Sequence, residues 1–160
     1  MRRLIILLVS VNAAVIVLLA GLYYLSETYP FHAGNFFFGI QSVAENQRIR
    51  LSNDPLVRAE KSFELVERRM ADLAMVSSEP DVQAAVKAFD SCLSAAIQSI
   101  EALPASETPV LYDQATRTIV RAGIVLASMQ QKIPDETLQS MQTKLAALQL
   151  AATPQEIQQI

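Results

Sequence analysis

Between Leu4 and Leu25 there is no charged side chain, and this run constrains the chain more than any other feature. It reads LIILLVSVNAAVIVLLAGLYYL, with Arg2 and Arg3 before it and Glu27 after it. An α-helix needs about 20 apolar residues to cross roughly 30 Å of hydrocarbon, so the run predicts a transmembrane helix. A cleaved signal peptide has a shorter apolar core, of about 7–15 residues, and small residues at its cleavage site. Here the run is longer and ends in Leu22-Tyr23-Tyr24-Leu25-Ser26, with no A-x-A pattern, and Leu18 stands two residues before Ala20. The expectation is an uncleaved signal anchor. Arg2 and Arg3 bias the N-terminus to the cytoplasm, and the next basic residue is Arg48, so the rest of the chain is expected outside the cell membrane. Tyr23 and Tyr24 then fall at the outer interface, where amphipathic rings are favoured. Asn12 and Ser10 lie mid-span; an amide there either bonds locally or meets a second transmembrane helix.

The expected organisation is a cytoplasmic N-terminus at 1–3, the anchor at 4–25, a connector at 26–35, an extracytoplasmic helical bundle at 36–152 and a tail at 153–160. The connector, SETYPFHAGN, holds the turn dipeptides Tyr29-Pro30 and Gly34-Asn35. Phe36, Phe37 and Phe38 follow, and with Ile40, Val43, Ala44, Gln47 and Leu51 they keep helical spacing over 36–52. These three phenylalanines admit two readings, a first core turn or a contact at the membrane surface or with a partner.

Ser52-Asn53-Asp54-Pro55 punctuates, with a capping side chain and a proline suited to a first helical turn. From 55 to 78, Leu56, Ala59, Phe63, Val66, Met70 and Leu73 recur at alternating spacings of three and four, a seam for another helix. The pairs Asp54–Arg58, Glu64–Arg68 and Arg68–Asp72 read as a solvated face. Ser78 and Pro80 open a helix over 80–103, with Val82, Val86, Phe89, Leu93, Ala96, Ile97, Ile100 and Leu103 in its stripe. Thr108 and Pro109 open one over 109–132, with Leu111, Ala115, Ile119, Ala122, Leu126 and Met129. After Ile133-Pro134 comes a helix over 135–152, with Leu138, Met141, Leu145, Leu148 and Ala152. Short loops between such helices imply antiparallel neighbours. The fold class is therefore all-α: an N-terminal transmembrane helix followed by an antiparallel, up-and-down bundle of four or five helices.

Chemistry is harder to find. The net charge is −3. Residues 27–72 carry six basic against seven acidic side chains, and residues 73–160 five against nine. No block suits a polyanion, so nucleic acid is not an expected partner. His32 is the lone histidine and Cys92 the lone cysteine, which leaves no disulfide, zinc or haem framework. No phosphate loop, nucleophile elbow or paired Glu-x-x-His occurs. No enzyme activity, metal or cofactor is expected, and Cys92 reads as a small buried hydrophobe.

Residues 29–72 also carry a pattern: Tyr29-Pro30, then Glu45 and Arg48, the break Asp54-Pro55, Arg58-Ala59, and Glu67-Arg68-Arg69-Met70-Ala71-Asp72. It resembles an uncharacterised bacterial extracytoplasmic helical domain that follows a single membrane span, as in anti-sigma-factor-like proteins. This chain departs at His32, where that family tends to have lysine. The resemblance implies a location and a fold more than an activity. Together these readings predict a membrane-anchored, extracytoplasmic, non-enzymatic bundle, a structural or interaction module or an accessory subunit of an envelope complex. Its partners would be the bilayer, another envelope or membrane protein, or a second copy of itself. The alternatives are a ligand-sensing bundle or a chaperone-like one exposing Met70, Met75, Met129 and Met141.

Overall fold

The computed structural model describes residues 9–17, 20–21, 24, 35, 38–104 and 106–153. Arg2, Arg3, Tyr23, His32, Phe36, Phe37 and the tail from 154 lie outside the described residues, and so does much of the Leu4–Leu25 run. All regular structure among the described residues is helical. Five complete helices follow in order: α1 (Phe38–Arg50), α2 (Pro55–Met75), α3 (Glu79–Glu101), α4 (Thr108–Ser128) and α5 (Asp135–Ala152).

Local chemistry sets the helix ends. At the start of α2, Asp54 Oδ1 accepts from the N–H of Leu56 at 2.9 Å and of Val57 at 3.4 Å, while Pro55 takes the first helical position. At the start of α3, Ser78 gives no side-chain cap and instead donates its hydroxyl to Asp81. Two ends come earlier than the stripes predict. α2 stops at Met75 because the chain turns extended at Val76 and buries that side chain. α4 stops at Ser128, and the chain continues through turns in which the N–H of Lys132 and of Ile133 donates to the carbonyl of Met129. That path buries Met129 and Ile133 before Pro134 disallows further helix.

The four long helices enclose one core. Ala59, Phe63, Val66 and Leu73 of α2 meet Phe89, Leu93 and Ala96 of α3, Ala115 and Ala122 of α4, and Met141 and Leu148 of α5, all without solvent exposure. Burying a side chain the size of Phe or Leu stabilises by about 1.5–3 kcal/mol, which makes this seam the main source of stability. The stripes expected for α2–α5 face inward, with Leu56, Ile97 and Ile119 half-buried against the core and the rest buried.

Packing between helices differs from the expectation in one respect. α2 packs on α3 and α4 on α5, while α3 also packs on α5 and α2 on α4. α3 and α4, although consecutive, stand diagonally, so the loop after Glu101 crosses the end of the bundle. α2 and α3 are antiparallel, with Ser62 Oγ 3.0 Å from Ser99 Oγ and Arg69 beside Cys92. α3 and α5 run parallel: Glu79 and Val82 share a cleft with Lys132 and Pro134, and further along Lys144 Nζ donates to Asp90 Oδ1 at 2.6 Å. Thr118 Oγ1, donating to Glu67 Oε1 at 3.1 Å, ties α4 to α2. The short loop after α2 thus reverses direction, while the loop after α3 does not make α3 and α4 neighbours.

The transmembrane helix expected at Leu4–Leu25 is not found: among the described residues no helix is long and apolar enough to cross a membrane. Of that run the structure describes residues 9–17, 20–21 and 24, all helical and all exposed.

Candidate functional site: an ionic clasp between α1 and α2

α1 departs most from its sequence pattern. Ile40, Val43, Ala44, Gln47 and Leu51, which keep helical spacing in the sequence, are all exposed. The face turned inward carries Phe38 and Gln41, both buried, with Glu45, Asn46 and Ile49 half-buried. The reason lies on α2. Arg69 is only 1% exposed, and a buried guanidinium requires charge and hydrogen-bond partners.

Those partners come from both helices. Arg69 Nη1 donates to Asp72 Oδ2 at 2.5 Å, and Arg69 Nη2 donates to Glu45 Oε2. Glu45 Oε1 also accepts from Arg68 Nη1 at 2.6 Å and from Gln41 Nε2 at 2.9 Å. The ring of Phe38 lies 4.7 Å below the guanidinium carbon of Arg69, a cation–π arrangement. Arg69 Nε is the one buried side-chain polar atom, among the described residues, without a hydrogen-bond acceptor. Two guanidinium groups and two carboxylates make the clasp electrically neutral, so it suits internal cohesion rather than capture of an ion.

Cys92 of α3 lies against the clasp and is buried. Loss of solvation pushes its thiol up from 9.0 to about 11; the charge and hydrogen bond of Arg69 oppose the rise, and the Glu45 and Asp72 carboxylates add to it. At neutral pH the sulfur is a protonated thiol with little nucleophilic character.

The charge pairs expected along an exposed face of α2 are therefore redistributed. Arg68 pairs with Glu45, and Asp72 sits buried beside Arg69. Asp54 caps its helix, and Arg58 donates through Nε and Nη2 to the Ser52 carbonyl at 3.3 and 2.7 Å. Sequence spacing did not show that Arg69 is interior. Its only signal was position, since Ser62, Leu65, Arg69 and Asp72 recur at helical spacing beside the main seam. That second stripe is the surface on which α1 lies.

Of the residues expected at a membrane or partner contact, Asn12 and Tyr24 are helical and exposed, and Phe38 is the lid of the clasp. Beside the clasp, a cleft of about 390 Å³ opens between the ends of α1 and α3 and the start of α2, with Asn46, Arg50, Arg58 and Gln98 on its walls. Among the described residues no three His, Cys, Asp or Glu side chains are grouped to hold a metal. No protein-family model, curated protein or solved structure matches this chain.

Proposed function

We propose that this chain is a single-pass membrane protein in which the Leu4–Leu25 run anchors the four-helix bundle on the extracytoplasmic face. There the bundle acts as a non-enzymatic interaction module, an accessory subunit for another envelope protein. The observation that carries this reading is the state of residues 9–17, which are helical, exposed at every position and free of charge. Val9, Val11, Val15, Ile16 and Val17 are 49–71% exposed. A helix apolar all round belongs in a core or in lipid, and this one contributes nothing to the core of the bundle. Arg2 and Arg3 ahead of the run favour the orientation with the bundle outside. The resemblance of residues 29–72 to an extracytoplasmic domain that follows one span agrees with that placement.

The interaction role draws support from the clasp. It is self-neutralised and built from groups that hold α1, the element nearest the anchor, onto the bundle. Alkaline extraction of membranes from cells expressing the full chain tests the anchor. The chain should stay in the lipid pellet, and a variant lacking residues 4–25 should be released. Release of the intact chain would contradict the reading. Crosslinking in intact cells, followed by detergent purification, should recover a second envelope protein or a second copy of this chain; recovery of uncrosslinked monomer alone would count against the interaction role.

A further inference from the structure

The charged side chains lining the cleft beside the clasp are all of one sign. The chain is net negative, yet none of the residues lining this cleft is acidic and two of them are arginines. Arg50, the last residue of α1, is exposed and makes no ion pair with any described residue. Arg58 spends Nε and Nη2 on the Ser52 carbonyl, which fixes the guanidinium plane and leaves Nη1 without an acceptor among the described residues. Asn46, Ser91 and Gln98 bring an amide, a hydroxyl and a second amide to the same walls, and none of the three is engaged with another described group. Ser94 donates to the Asp90 carbonyl and keeps its oxygen free to accept. A volume of about 390 Å³ is within the range of sites for small molecules.

We propose that this cleft binds a phosphate ester of a small polyol, with the phosphate held by Arg50 and Arg58 and the hydroxyls by Asn46, Ser91 and Gln98. Two guanidinium groups match a phosphate in charge and geometry, because each presents a planar fork of donors to its oxygens. The amides of Asn46 on α1 and Gln98 on α3 and the hydroxyl of Ser91 on α3 both donate and accept, which suits the alcohol groups of a polyol. Such a group arrives either as a free solute or as the headgroup of an anionic phospholipid. The site joins α1 to α3, so an occupant would bridge the element next to the anchor and the centre of the bundle.

The test uses the full chain in detergent solution, titrated calorimetrically with glycerol 3-phosphate at constant ionic strength set by sodium chloride. Saturable binding is expected, and Arg50→Gln should weaken it at least tenfold while leaving the melting temperature in chloride unchanged, since Arg50 makes no contact that the fold uses. Arg58→Gln also removes the bond to Ser52, so Arg50→Gln is the deciding variant. Absence of saturable binding, or binding that Arg50→Gln leaves unaltered, overturns the proposal. A second titration in nanodiscs distinguishes the source: phosphatidylglycerol in the bilayer should block glycerol 3-phosphate if the headgroup is the occupant, and leave it unaltered if a free solute is. The detergent titration does not depend on the anchor, so loss of the membrane reading through failed nanodisc insertion would be seen separately.

Discussion

Arg69 is the residue on which the α1 contact turns. A buried charge whose partners are removed is costly, by about 3–5 kcal/mol, whereas replacing a whole buried ionic group by neutral side chains of similar size is often close to neutral. Arg69→Met leaves the buried Asp72 without its cation and Glu45 with Arg68 alone, and is expected to lower unfolding stability in urea by about that amount. The triple variant Arg69→Met, Glu45→Gln, Asp72→Asn should recover more than half of the loss. Equal destabilisation by the single and triple variants would mean that the packing of Arg69, and not its charge, matters. Cys92 gives a second handle. Its folded pKa of about 11 exceeds its unfolded value of 9.0, so between these values the unfolded chain has lost the thiol proton and the folded one retains it. Stability is then undiminished below pH 9 and falls as pH rises from there towards 11, by roughly 1.4 kcal/mol per unit at most. Thermal unfolding followed across that window should show a shallower fall for Cys92→Ala than for the parent chain; identical slopes would show that Cys92 is not shielded.

Among the elements, α2–α5 were legible together with their buried faces, whereas α1 was legible as a helix but not in the face it buries. Leu56 through Leu73, Val82 through Leu103, Leu111 through Met129 and Leu138 through Ala152 repeat at a spacing that selects one buried face, and Asp54-Pro55 and Ile133-Pro134 mark ends that caps and prolines enforce. What spacing cannot give is a contact between distant stretches. α1 has two candidate faces, and the choice between Ile40–Val43–Leu51 and Phe38–Gln41–Glu45 is made by a guanidinium some two dozen residues further along. The diagonal placement of α3 and α4 escapes the sequence for the same reason, since loop length limits reach without choosing a neighbour. A helix that docks through charge, with Phe38 as its one fully packed apolar side chain, should open more readily than the bundle beneath it. Native-state hydrogen exchange is expected to show α1 amides exchanging well before those of α2 and α3 around Phe63 and Phe89. Exchange of α1 together with the core would indicate a single cooperative unit.

At the scale of the whole molecule, two parts of contrasting chemistry are joined in one chain. The bundle buries its own apolar seam and pairs the buried Arg69 with carboxylates of its own. Residues 9–17, by contrast, are helical, uncharged and exposed at every position, with Ser10 and Asn12 as their polar side chains. Under the proposed function the first part lies in lipid and the second beyond it. Topology in living cells addresses this most directly. In a bacterial host, alkaline phosphatase fused after Ile160 is active only if exported, where its disulfides can form, and a green fluorescent protein fused at the same position fluoresces only if retained. The account expects an active phosphatase and a dark fluorescent fusion, both in the membrane fraction. A fluorescent fusion with an inactive phosphatase would contradict it.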